Sequence, residues 1–201
     1  MPGTKRHQAY EPPPALMDYL INAALTEIYP DERDKSDWKL HLSRYTQLLQ
    51  PFTSRRSDPR ETWFELFSND GNLISARGYS KTQDAFRYSW TGKDFYGNPV
   101  FNTKFITKTL RKALHDFDKS PSDTRFVFIL PNWTTSPWFH LTRHFKTLQT
   151  YPRGTEMFSA CLPHATPGWT PAGPEGGAGR SVKSGTPFEI IAVGIGRDIS
   201  F

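Results

Sequence analysis

The run Phe126-Val127-Phe128-Ile129-Leu130 constrains this chain more than any other segment. Five consecutive apolar residues, stopped by Pro131, bury side chains on both faces of a strand. A half-solvated antiparallel strand would alternate instead, so this run demands a central strand covered by helices. The segments around it keep to that scheme. Thr62-Trp63-Phe64-Glu65-Leu66-Phe67 reads as a short aromatic strand, closed by the turn chemistry of Asn69-Asp70-Gly71-Asn72. Residues 93–96 form a strand leading into Gly97-Asn98-Pro99. Asn102 can cap a helix that buries Phe105, Ile106, Leu110, Ala113, Leu114 and Phe117, with Lys104, Lys108, Arg111 and Lys112 largely elsewhere around it. A further helix is expected over residues 137–148, short strands near Tyr151 and over 156–160, and a last strand over 188–193. Strand and helix alternate after residue 60, which predicts an α/β sheet with crossover helices.

Three stretches differ in texture. Residues 1–13 read as a flexible tail. Residues 14–60 read as a helical lead-in. One helix carries Leu16, Leu20, Ile21, Ala24 and Ile28 on one face, and a second spans 38–49 and is closed by Pro51. Residues 61–201 form the α/β domain. Within it, residues 163–187 hold 6 Gly and 5 Pro, too many to pack as helix or strand. That loop is expected to be mobile, with Trp169 as its large anchor.

Composition narrows the function classes. The chain has 201 residues, enough for one domain with its own core. Cys161 is its single cysteine, which excludes an internal disulfide and a multi-cysteine zinc site. No apolar run is long enough to span a bilayer, and the first residues lack a secretory apolar run. The expectation is an intracellular protein, nuclear or cytoplasmic, not secreted and without a membrane partner. His140 and His144 stand four apart without the Glu of a zinc-protease helix, and read as a surface pair. A net charge of +5, with 15 Phe, 8 Tyr and 6 Trp, suits phosphate contact and base stacking, and equally an aromatic core under a mildly basic surface.

In an open α/β sheet, ligands sit beyond the carboxyl ends of the strands. Three such ends carry unusual residues: 65–68, Asn98-Pro99-Val100-Phe101, and Pro131-Asn132-Trp133. The Asn98 side-chain oxygen and the Pro99 carbonyl can both accept from one exocyclic amino group. Proline stiffens the loop, and Phe101 can stack on a flipped-out base. An ordinary Asn-Pro turn over a buried Phe fits the same four residues.

Several segments together resemble phage-type DNA adenine-N6 methyltransferases, and still more the methyltransferase-like segments of retroelement polyproteins, including DIRS-like elements. Asp37-Trp38-Lys39-Leu40-His41 is similar to a lead-in of the retroelement forms. Phe64-Glu65-Leu66-Phe67-Ser68 resembles their first strand, where aspartate is usual at the place of Glu65. Asn72, Asp84-Ala85 and Trp90 match further positions. Gly97-Asn98-Pro99-Val100-Phe101 takes the place of the Asn-Pro-Pro-aromatic motif, with Val100 for the second proline. Phe126 to Trp133, Pro137-Trp138-Phe139, Arg153-Gly154 and Phe158 are similar to the later segments. The likeness covers about residues 37–160.

The resemblance implies a Rossmann-like methyltransferase sheet with S-adenosylmethionine as methyl donor and nucleic acid as partner, DNA ahead of RNA. It implies a catalytic set of Asn98, Pro99 and Phe101, a donor-binding set of Glu65, Phe67 and Asp84, and substrate contacts from Val100, Trp133, Lys104 and Lys108. Two alternatives stand beside it. One is a domain of this type that binds nucleic acid or a partner without catalysis. The other is a ribonuclease H-like nuclease recruiting Glu65, Asp84 and Asp94 around two metal ions. The methyltransferase reading predicts that Glu65, Asp84 and Asn98 line one cleft and that the ends of the three strands near residues 67, 98 and 130 share one edge; Glu65 and Asn98 on opposite edges would overturn it.

Overall fold

The structure, a computed structural model, describes residues 38–68, 74–79, 83–160, 186 and 188–199. The first expected helix, Asn72, Cys161 and Trp169 lie outside the described residues, as does the 163–187 loop apart from Thr186. Residues 33–201 form one compact unit.

The chain enters that unit through β1 (Trp38–Leu40), α1 (Leu42–Leu49) and the short helix α2 (Pro59–Thr62). β2 (Phe64–Glu65) and β3 (Arg77–Gly78) follow, then β4 (Asp94–Gly97), α3 (Thr103–Lys119) and β5 (Arg125–Pro131). β6 (Lys146–Tyr151), β7 (Phe158–Ala160) and β8 (Ile190–Gly196) complete it. Six strands make a mixed sheet in the order β3-β2-β4-β5-β8-β6, while β1 and β7 pair apart from it. β3, β2, β4 and β5 run parallel. β8 lies antiparallel between β5 and β6, each of its seven residues paired with β5.

β5 is buried along its whole length, as its unbroken apolar run requires. Phe126, Phe128 and Leu130 face one core, where Ile106, Leu110 and Ala113 of α3 pack with Phe95, Trp90 and Trp138. Val127 and Ile129 face the other, with Tyr45, Leu48 and Leu49 of α1, Trp63 and Tyr96. The result is a helix, sheet, helix sandwich, each face removing apolar surface from water at roughly 25 cal/mol per Å². Residues 38–60, read from the sequence as part of a lead-in, therefore pack within the α/β unit.

Two sequence expectations change. Residues 38–49 are not one helix: residues 38–40 pair with β7 as a strand, and the helix starts at Leu42. Residues 137–148 hold a 3-10 helix, Phe139–His144, and then turn into β6. The β-branched Thr147 and Thr150 favour the extended form, and pairing with β8 settles it. Trp138 is fully buried, and His140 and His144 are exposed as expected. Among the described residues, no helix is long and apolar enough to cross a membrane.

Candidate functional site

The strand order contains a reversal. From β2 the chain passes to β3 on one side, then returns to place β4 on the other. Such a switch point opens a crevice beyond the carboxyl ends of the two central strands, which is the usual ligand position in open α/β sheets. The register brings Glu65 beside Tyr96 and Gly97 beside Phe128. The ends of β2, β4 and β5 therefore share one edge, as the sequence reading required.

Gly97 has no room for a side chain. A Cβ there would lie 2.7 Å from the Phe128 ring, so β4 approaches β5 closely just before Asn98. Asn98 is half-buried with its Oδ1 buried, and Pro99 is buried. Val100 is exposed. The loop closes when Asn102 N–H donates to the Val100 carbonyl at 2.7 Å. The Asn102 side chain then accepts from Phe105 N–H at 3.1 Å and starts α3. Lys104 and Lys108 follow within the first turns, and the Lys108 ammonium sits 3.9 Å over the Phe86 ring.

The donor-side residues take distinct positions. Phe67 meets Phe105 at 5.0 Å, Phe86 at 5.7 Å and Trp90 at 5.9 Å, forming an aromatic wall beyond β2. Asp84 is exposed. Its Oδ1 caps the 3-10 helix Ala85–Arg87 by accepting from Phe86 N–H at 3.0 Å, and Oδ2 is 3.8 Å from Arg87. Asp84 therefore joins this wall through its neighbour Phe86. The Glu65 carboxylate is buried on the α1 face, where Oε2 accepts from Ile74 N–H at 2.8 Å and Ser75 N–H at 3.2 Å.

On the opposite flank, Phe101 is edge-on to Trp133 at 6.5 Å, Phe158 at 6.0 Å and Phe188 at 5.9 Å. Trp133 and Phe188 stand 5.3 Å apart. The sequence reading anticipated Phe101 and Trp133 but not Phe188, which comes from far along the chain. It also missed two carboxylates. Glu189 holds Asn132 at the end of β5, with Asn132 N–H donating to the Glu189 carbonyl at 2.8 Å and the Asn132 amide donating to Glu189 Oε1. Asp116, buried in α3, accepts from Trp90 N–H at 2.9 Å, Lys112 Nζ at 2.8 Å and Lys119 Nζ at 3.1 Å. Helical spacing gives Asp116 its Lys112 and Lys119 partners but no hint of Trp90, 26 residues away, and none of Glu189, 57 residues from Asn132.

Glu65, Asp84 and Asp94 are each engaged separately. Asp94 opens β4, at the far end of that strand from Asn98, where Arg125 grips it bidentately at 2.7 and 2.5 Å. Among the described residues, no group of three or more His, Cys, Asp or Glu side chains is arranged to hold a metal ion. A groove of about 260 Å³ between α1 and β6, bordered by Gln47, Phe52, Lys146 and Tyr151, lies at the β6 edge of the sheet. No protein-family model matches the chain, and neither does any curated protein sequence.

Proposed function

We propose that residues 33–201 form a Rossmann-like, S-adenosylmethionine-dependent adenine-N6 methyltransferase-like domain acting on nucleic acid. The observation that carries this reading is the switch-point crevice with Asn98-Pro99 at the end of β4, one strand from the end of β2. The order of the segments that resemble the methyltransferases agrees with it. So does the basic start of α3, which leads away from the same loop.

The residues fit a nucleoside-bearing donor in part. Asp84 is exposed and can accept from ribose hydroxyls, and the Phe67–Phe86 wall offers an apolar surface beside it. Glu65 does not fit a direct contact, because its carboxylate serves backbone amides under the sheet. Bound S-adenosylmethionine would supply an activated methyl group. Once the loop shifts to expose the buried Oδ1 of Asn98, Asn98 and Pro99 would accept the two hydrogens of the target amino group, directing its lone pair outward. They act by positioning and add no net charge near the reacting centre.

The non-catalytic reading has its own observation: Glu65 and Phe101, two motif positions, are both committed to internal contacts. Calorimetry with S-adenosylmethionine, followed by transfer of a labelled methyl to adenine-containing DNA and RNA, separates the two. The catalytic reading expects donor binding, and transfer that Asn98→Ala lowers roughly a hundredfold. Donor binding with transfer unchanged in Asn98→Ala overturns the role of Asn98. Absence of donor binding overturns the methyltransferase reading.

A further inference from the structure

Glu189 immediately precedes β8, and the pairing of Pro131 with Ile190 sets it beside Asn132, on the edge that also carries Asn98. Asn132 ties Glu189 at two points, its N–H donating to the Glu189 carbonyl and its amide to Glu189 Oε1. Oε2 has no hydrogen-bond partner among the described residues, and no Lys, Arg or His among them pairs with this half-buried carboxylate. The rings of Phe188 and Trp133, each adjacent in sequence to one member of the pair, stand 5.3 Å apart beside it.

An oriented carboxylate with no cation partner among the described residues is an unusual thing to find on the ligand edge of a basic protein. It repels phosphates, so the nucleic-acid backbone is not its partner. It accepts hydrogen bonds and donates none, so a keto edge is not its partner either. The group that satisfies it is an amino group on a planar ring, the N4 of cytosine or the N6 of adenine, which carboxylates read in nucleic acids. The neighbouring rings suit the plane of such a base. The target adenine itself has both amino hydrogens taken by Asn98 and Pro99 in the reading above.

We propose that Glu189, positioned by Asn132, is a specificity-determining acceptor for the amino group of a base flanking the methylation target. This rests on the methyltransferase reading for the identity of the target.

The test uses the full chain and two fluorescent single-stranded oligonucleotides, one with a single adenine among deoxycytidines, the other with it among thymidines. Anisotropy titrations give their affinity ratio. Wild type is expected to favour the cytosine context about tenfold. Glu189→Gln removes the charge and lets a donor face the base, and should bring the ratio close to one. Glu189→Asp keeps the charge but withdraws it, and should give an intermediate ratio, which serves if the first variant folds poorly. Asn132→Ala should also lower the ratio. A wild-type ratio near one, or a ratio unmoved in folded Glu189→Gln and Glu189→Asp, overturns the inference. Methyl transfer measured alongside keeps the two readings apart. Transfer with an unmoved ratio overturns the role of Glu189 alone. A Glu189-dependent ratio without transfer or donor binding supports base reading by Glu189 and overturns only the methyltransferase assignment.

Discussion

Asp116 accepts the main-chain N–H of Trp90 at 2.9 Å, which fastens α3 to the segment that carries Asp84 and Phe86. Burial pushes this carboxyl's pKa up. Hydrogen bonds from Lys112, Trp90 and Lys119 outweigh burial and hold it well below the usual carboxylate range. A group depressed in the folded state stabilises fully above its unfolded value and loses that contribution as pH falls. The unfolded value is about 3.8. Acid titration followed by circular dichroism should therefore show stability falling below about pH 4. Asp116→Asn should cost about 2 kcal/mol at pH 7 and flatten this acid limb. An unchanged acid limb in the variant would contradict the assignment.

Tyr96 places its hydroxyl in the core with no hydrogen-bond partner among the described residues. Removing an unsatisfied buried polar group relieves its desolvation penalty. Tyr96→Phe should raise stability by about 1 kcal/mol in urea melts. A loss of that size instead would reveal a partner for the hydroxyl.

Burial also raises the pKa of Tyr45 and Tyr96 above the ordinary 10.0. Their stabilisation is intact below that value and fades as pH rises through it, since the unfolded chain ionises first. Thermal melts between pH 9 and 11 should show a falling midpoint above about pH 10 in wild type, and a smaller fall in Tyr96→Phe.

Gly97→Ala drives a methyl into the Phe128 ring, which stacks on Phe126 at 5.8 Å and touches Phe145 at 6.0 Å. Overpacking of this kind typically costs about 1–3 kcal/mol. Because the strain arises one residue before Asn98, any methyl transfer should fall further than stability alone explains, measured well below the variant's melting midpoint.

Lys104→Glu combined with Lys108→Glu tests the basic start of α3. If that turn meets phosphates, nucleic-acid affinity should fall alike for all sequences, and the slope of log K against log salt should drop by roughly two. A slope equal to that of wild type would show that these lysines do not meet phosphates.

What could be read from the chain depended on how local its cause was. β5 declares itself because every residue in 126–130 is apolar, and α3 because Asn102 and the spacing of Ile106, Leu110 and Ala113 act within a few turns. β6 did not, because Phe139, Leu141, Phe145 and Leu148 mimic helical spacing while the deciding partner, β8, lies some forty residues on. The candidate loop at Asn98 was legible as a motif. The burial of Glu65 under the sheet was not, since its amide donors at Ile74 and Ser75 are set by the return of the chain to β3. Glu189 was invisible for the same reason, and so was the tie from Asp116 to Trp90: each depends on a distant partner.

The position of β8 has a consequence for how this protein is made. β5 and β6 leave the ribosome early, but they touch each other only through a strand synthesised long after both. Until residues 190–196 emerge, β5 presents an open edge beside Val127 and Ile129, and β6 has nothing to pair with. Closing that gap requires contacts between remote parts of the chain, which slows folding and leaves the nascent chain open to aggregation. Synthesis arrested before residue 190 should therefore yield a chaperone-bound, protease-sensitive chain, and folding should complete as a late, abrupt event.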